Sequence, residues 1–337
     1  MVGLSSRAHL EIPGGGVKII SPVDRLDETD ALLAAGANEL YGGFVPNDWQ
    51  EKFSLLVSIN QRTFATAQLA SWEDLAGVVT RCHDQGATFS LVLNAPFYSD
   101  LQSGLLIDYV GEAVRQGVDE IILADLGLLR CLKPIFPELG YHASTLAHLG
   151  NAAAVAFYAS QGITRAILPR HLSTAEMAAI VAKVPYMRFD AFLLVGKCPN
   201  TEGLCTFHHS NSSKRWPCEI PYRLTPQQSV PDVLQRAMQR QGSWSQTDRR
   251  HGCGLCALPA LKRAGIDGLK LVGRGAPTSQ KVCNIILVRH FVSRALKMSD
   301  ETLFRAEARA AHRQRFASLC STNVCYYPEF FQEDESL

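Results

Sequence analysis

One pattern recurs along this chain: an amphipathic helix, a glycine-containing turn and a short apolar strand. It appears as AAGANELYGG (34–43), DQGATFSLVLN (84–94), RQGVDEIILAD (115–125), SQGITRAILPR (160–170) and RAGIDGLKLVGR (263–274). In each, the glycine stands where a helix takes a left-handed cap, and a buried strand follows, as in a parallel sheet covered on both faces. Strands are expected at 17–20, 38–41, 88–93, 120–124, 140–143, 165–168, 189–195 and 268–272. Helices are expected between them at 24–35, 72–84, 104–116, 126–133, 149–160, 173–183 and 256–264. Ser71 and Ser173 stand as N-caps, the latter with Glu176 three residues on. Eight strands alternating with helices place the chain in the α/β class, as a (β/α)8 TIM-like barrel. The rival is an open doubly wound sheet, but its phosphate loop is absent: the glycines at 14–16 precede a strand instead of following one.

The barrel is expected over 17–275, after a flexible N-terminal arm at 1–16. A cysteine-rich insertion at 196–256 interrupts it, and a C-terminal helical extension with an acidic tail follows at 276–337. A closed parallel barrel carries its functional side chains just beyond the carboxyl ends of the strands. Tyr41, Asn94, Arg170, Lys197 and Arg274 fall there as candidate substrate-binding residues. Forked or point-charge cations suit an anionic ligand, and Tyr41 suits a ring. Asp125 and His142 are candidates for proton transfer, although His142 reads equally well as a satisfied core histidine.

A formal net charge of +1 gives no broad electrostatic footprint for nucleic acid or an anionic membrane. No apolar run approaches a spanning helix, and the N-terminal stretch lacks the apolar region of a secretory signal, so a cytoplasmic protein is expected. In a reducing compartment the ten cysteines favour metal or redox chemistry over a disulfide framework. Cys198, Cys205, Cys218, Cys253 and Cys256 fall in a single stretch, the first three amid loop-forming residues. Only Cys253 and Cys256 form the tight pair usual for structural zinc. The wider spacings suit an iron–sulfur cluster held between separate loops. Zinc, completed by His208 and His209, and unligated thiols are the alternatives.

Several runs carry a family likeness: YGG (41–43), LN (93–94), ADLGLLR (124–130), HASTLAHLGN (142–151), VGKCPNTEGLC (195–205), WPCEIPYRL (216–224) and LPALKRAGIDGLKLVGR (258–274). Over roughly residues 17–275 the chain resembles the U-thirty-two peptidase family of collagenase-like peptidases. The resemblance implies a barrel-like protein with a [4Fe-4S] cluster on Cys198, Cys205, Cys218 and Cys253, with Cys256 as the alternative fourth ligand. It further implies oxygen-independent hydroxylation, which in this family falls on ubiquinone precursors, transfer RNA uridine or ribosomal RNA cytidine, with prephenate as the hydroxyl donor. The chain departs from the family by lacking a cysteine after YGG and by losing the usual pattern after Gly275.

The leading expectation is therefore a cluster-dependent hydroxylase of a small aromatic or quinone precursor, as in ubiquinone biosynthesis. The first alternative is a non-catalytic iron–sulfur partner or scaffold in a heterodimer with a related chain. RNA-base hydroxylation and peptidase activity follow. Peptidase chemistry finds neither an HExxH zinc motif nor a GxSxG elbow in the residues.

Overall fold

The computed structural model describes residues 16–53, 59–62, 64–198, 200–205, 225–245 and 249–332. Eight strands close a parallel barrel in chain order. They are β1 (Lys18–Pro22), β2 (Glu39–Gly42), β3 (Thr88–Leu93), β4 (Glu120–Leu123), β5 (Gly140–Ala143), β6 (Arg165–Ile167), β7 (Arg188–Leu194) and β8 (Gly268–Leu271). All eight overlap the strands expected from sequence, with ends shifted by at most two residues, and β8 returns to β1 with Ile19 opposite Leu269. The helices are α1 (Thr29–Ala35), α2 (Asn47–Phe53), α3 (Trp72–Asp84), α4 (Asp100–Arg115), α5 (Leu126–Leu132), α6 (Ala152–Ser160), α7 (Thr174–Lys183), α8 (Asp232–Ser245), α9 (Leu258–Arg263), α10 (Thr278–Lys297) and α11 (Glu301–Phe316).

The recurring turn behaves as its sequence dictates. Gly36, Gly86, Gly117, Gly162 and Gly265 all adopt positive φ where a helix gives way to the next strand. Ser71 accepts from Asp74 N, and Ser173 with Glu176 forms a full capping box. Leu, Ile and Val on the outward faces of the strands meet the helices, as with Leu40, Leu91 and Ile121, all fully buried.

The inside of the barrel is different. Barrel interiors of this kind are usually filled by branched aliphatics in layers. Here the lower layer is ionic: Glu39, Ser90, Glu120, His142, Arg165 and Asp190 are all buried. Arg165, 1% exposed, donates to Asp190 Oδ1 at 2.9 Å and to Glu39 Oε2 at 2.6 Å, with Glu120 Oε2 at 3.4 Å. Gly268 makes room for this layer, since a Cβ there would lie 2.1 Å from Asp190 Oδ1.

The last barrel helix, α10, packs on α1 and β1. A buried ion pair fixes it there: Lys281 Nζ donates to Asp24 Oδ2 at 2.5 Å and to Glu28 Oε1 at 2.7 Å. Removing one member of such a group strands the other charge. Lys281→Met is expected to cost about 3 kcal/mol in urea unfolding. A loss within about 0.5 kcal/mol, the range of ordinary surface changes, would show that the pair does not anchor the helix.

Candidate active site at the barrel mouth

At the carboxyl end of the strands a narrow cavity opens above the ionic layer. Its floor is Val92, Ile122, Ile167, Phe192 and the Tyr41 and Lys270 side chains, and its rim adds Asn60, Arg62, Asn94, Ser144, Thr145, Arg170 and Arg274. Each rim residue leaves a strand or the long β2–α3 connection, so the barrel holds them on rigid supports.

Four cations converge here. Lys270 Nζ stands 3.5 Å over the Tyr41 ring, and the Tyr41 hydroxyl donates to Leu271 O at 2.8 Å. Arg170 lies 4.0 Å over the Phe192 ring with its Nε 3.0 Å from Glu202 Oε1. Arg274 donates to Ala67 O at 3.0 Å and to Gln68 Oε1 at 2.9 Å, tying the β2–α3 connection to the end of β8. Burial lowers the Lys270 ammonium to about 8, with Asp190 and Glu39 opposing that shift and Arg165 and Arg274 adding to it. Burial also lowers Arg62 to about 10, helped by Arg274. Cations held in this state gain from a bound anion.

Two polar atoms of the rim, Asn94 Oδ1 and Thr145 Oγ1, are buried with no hydrogen-bond partner among the described residues. Asn94 Nδ2 meanwhile donates to Ser144 Oγ at 3.3 Å. Unmet acceptors in a cavity of cations are what a polar ligand or ordered water would satisfy.

The sequence-predicted residues divide by position. Tyr41, Asn94, Arg170 and Arg274 all line the mouth. Lys197 lies outside it: its ammonium donates to Thr322 O at 2.9 Å and to Cys325 O, and burial lowers its pKa. Asp125 is the N-cap of α5, accepting from Leu128 N at 3.0 Å and from Tyr98 N at 2.8 Å. His142 lies in the ionic layer beneath the cavity, Nε2 at 2.8 Å from Glu120 Oε2. Burial alone would raise the Glu120 carboxyl, but His142, Arg165 and Arg188 hold it well below the usual range. Lys270, Arg62 and Asn60 were not anticipated. A signal existed for Lys270, a single charge inside the apolar run GLKLV, with the inward parity of Gly268.

Beyond β7 the backbone turns sharply. Val195 has φ 54°, a costly conformation for a β-branched residue, and Gly196 follows at 65°. Val195 N donates to Gly252 O at 2.7 Å, and the Tyr326 hydroxyl donates back to Val195 O at 2.5 Å. The loop that follows packs on the 144–147 turn so closely that a Cβ on Gly203 would meet Leu146 O at 2.3 Å.

The predicted cluster ligands are placed as follows. Cys198 lines a groove with Arg170, Glu202 and Tyr326 beside the mouth. Cys205 accepts from Asn200 Nδ2 at 3.6 Å. Cys253 is buried in a short ribbon next to Leu194 and Cys325. Cys218, His208 and His209 fall outside the described residues.

No helix among the described residues is long and apolar enough to cross a membrane. Comparison with known proteins supports the family likeness. The chain is 31% identical over 189 residues to tRNA hydroxylation protein P of Escherichia coli strain K12, covering 56% of this chain and 38% of that protein. It is 26% identical over 268 residues to tRNA hydroxylation protein P1 of Bacillus subtilis strain 168, covering 76% and 58%. The chain thus spans about four-tenths to six-tenths of the curated relatives it matches. Among solved structures, the U32 peptidase Mk0906 aligns at 12% identity and a TM-score of 0.41, over 56% of this chain and 74% of that one. The family model for peptidase family U32 matches residues 24–334, nearly the whole chain, and on that ground this chain belongs to peptidase family U32.

Proposed function

We propose that this chain takes part in oxygen-independent hydroxylation of a base in transfer RNA. The observation that carries this reading is the mouth itself: Arg62, Arg170, Lys270 and Arg274 surround a cavity whose Asn94 and Thr145 oxygens lack partners among the described residues. An anionic hydroxyl donor is met there by forked and point-charge cations. A heterocyclic base with N–H donors is met by the open acceptors. The names of the curated relatives favour RNA over the quinone precursor expected from sequence. Local charge agrees with this choice. Residues 206–252 carry seven lysines and arginines against three acidic residues, although the whole chain is nearly neutral. Such a segment contacts a phosphate backbone without needing a basic protein overall.

The residues of this chain supply binding and orientation. Tyr41 and Phe192 fix Lys270 and Arg170 through their rings, and Gln68 holds Arg274 by a hydrogen bond. Charges preorganised in a buried site stabilise developing negative charge at little reorganisation cost. An iron–sulfur cluster, where present, would supply electron transfer or bind an oxygen ligand.

The deciding experiment is nucleoside analysis of transfer RNA from a deletion strain by liquid chromatography and mass spectrometry. Loss of a hydroxylated pyrimidine, restored by the intact gene, is the expected result. Unchanged tRNA nucleosides alongside altered quinones would return the substrate to the quinone class.

A further inference from the structure

Among the described residues, Arg170 alone lines both the mouth and the groove beside it. The mouth has a volume of about 80 Å³, room for a few waters, and the groove about 490 Å³. The guanidinium therefore stands in the wall between a small chamber and a large one. From the groove side it is met by Glu202, whose Oε1 lies 3.0 Å from Arg170 Nε. The backbone delivers that carboxylate: Leu204 N donates to Thr201 O at 3.2 Å to close a turn around Glu202. Gly203, at φ 82°, seats the same turn so tightly against Leu146 O that no side chain would fit. Glu202 is 7% exposed, and Arg170 is its carboxylate's partner among the described residues.

The pair is a charge contact without a hydrogen bond. Arg170 Nε and Glu202 Oε1 are both buried, and neither makes an aligned hydrogen bond among the described residues in spite of their separation. Such a contact compensates charge but fixes little geometry, because hydrogen bonds weaken steeply with misalignment. The plane of the guanidinium is set instead by the Phe192 ring 4.0 Å away. Arg274 is held in another manner, by bonds to Ala67 O and Gln68 Oε1, both neutral acceptors. Without Glu202, Arg170 would face Arg62, Lys270 and Arg274 with no opposing charge at contact distance among the described residues.

We propose that Glu202 is a resident counter-ion of the mouth, and that a carboxylate ligand displaces it from Arg170. A ligand carboxylate entering the mouth can meet the guanidinium fork in its plane, as Glu202 does not. The released side chain passes into the groove, where Asn200 and Thr201 and solvent take it up. Affinity is then the difference between two pairings, so Glu202 sets the threshold an anion must exceed to be held. It acts as a specificity-determining residue and touches no reacting atom. The exchange rests on the reading of the mouth as an anion site and adds the group that an entering anion replaces.

The test is isothermal titration of the full chain with malonate, a small dicarboxylate, and separately with inorganic phosphate. Glu202→Gln is expected to bind malonate about tenfold more tightly than the parent, the order of one charge-assisted hydrogen bond no longer contested. That gain should vanish in the Arg170→Gln background, because the two residues act through one contact. Glu329 lines the same groove but accepts from Thr174 N at 2.8 Å, so Glu329→Gln should change affinity by less than about twofold. Weaker binding by Glu202→Gln would make Glu202 a clamp that orients Arg170 and would overturn the exchange. An equal gain from Glu329→Gln, or a gain that survives in the Arg170→Gln background, would overturn it as well, since either reports a general field. Malonate binding to neither the parent nor Glu202→Gln has the same consequence, and a parent that holds phosphate more tightly than malonate would refute the carboxylate class. On the unaltered chain, malonate is expected to slow phenylglyoxal labelling of Arg170, read by peptide mass spectrometry. Unchanged labelling would overturn the assignment however the variants fold. No readout involves RNA or turnover, so failure of the exchange and failure of the tRNA assignment remain distinguishable.

Discussion

Arg165→Met is expected to be the most destabilising single change in the barrel. The guanidinium joins Asp190, Glu39 and Glu120 in a space closed to water. Removing one partner from a buried ionic group typically costs about 3–5 kcal/mol, because the remaining charges stay buried without compensation. A domain with net stability of about 5–15 kcal/mol has little left after such a loss. The pH dependence follows from the same residues. In the parent, burial would raise the Glu39 carboxyl, but Arg165, joined by His142 and Lys18, holds it low. Stability from Glu39 and Glu120 is therefore present above the ordinary carboxylate range and lost as acid protonates them in the fold. In the variant the sign reverses at Glu39: with the cation gone, burial raises that carboxyl, and the folded state holds a proton that the unfolded state has released. Stability of Arg165→Met should consequently fall as pH rises, and its deficit against the parent should be larger at pH 8 than at pH 5. Urea midpoints across that range measure it. Parallel curves for the two proteins would show that the carboxylates do not depend on Arg165.

Lys270→Met should produce the largest loss of function with the fold intact. The ammonium is the charge at the floor of the mouth, and burial has already brought it near 8. Loss of one preorganised charge from a water-poor site typically lowers turnover by about 100-fold or more. Hydroxylated tRNA nucleoside should fall to near the level of a deletion strain when the variant replaces the parent. In the parent, activity should decline above pH about 8 as the ammonium loses its proton, and that limb should be missing from any residual activity of the variant. Stability moves the other way. Between about 8 and 10.5 the unfolded chain holds a proton that the folded one has shed, so the parent gains stability as pH rises through that window. Below it the folded parent bears the cost of a buried charge, and Lys270→Met should equal or exceed it in thermal melting. An activity loss matched by a stability loss would assign Lys270 to structure instead.

Much of the frame was legible because its signals are local. A glycine that must adopt positive φ stands directly before each strand it announces, and Ser173 with Glu176 caps a helix within four residues. Four of the five expected mouth residues line the cavity for a similar reason, since each stands at the carboxyl end of its strand or within three residues beyond it. The ionic layer escaped notice because Glu39, Glu120, Arg165 and Asp190 are isolated charges on four strands, meeting only through closure. The α2 and α8 helices were missed because they lie in long polar connections where apolar periodicity is weak.

The ionic layer also bears on how the barrel is put together. Its first four strands bring Glu39 and Glu120 inward, with Lys18 3.9 Å from Glu39, whereas the last four bring Arg165 and Lys270 with Asp190. Each half alone would enclose an unbalanced interior, acidic in one and basic in the other. The two halves are therefore electrostatic complements, and this cylinder should assemble as one cooperative unit instead of from a pre-formed semicircle.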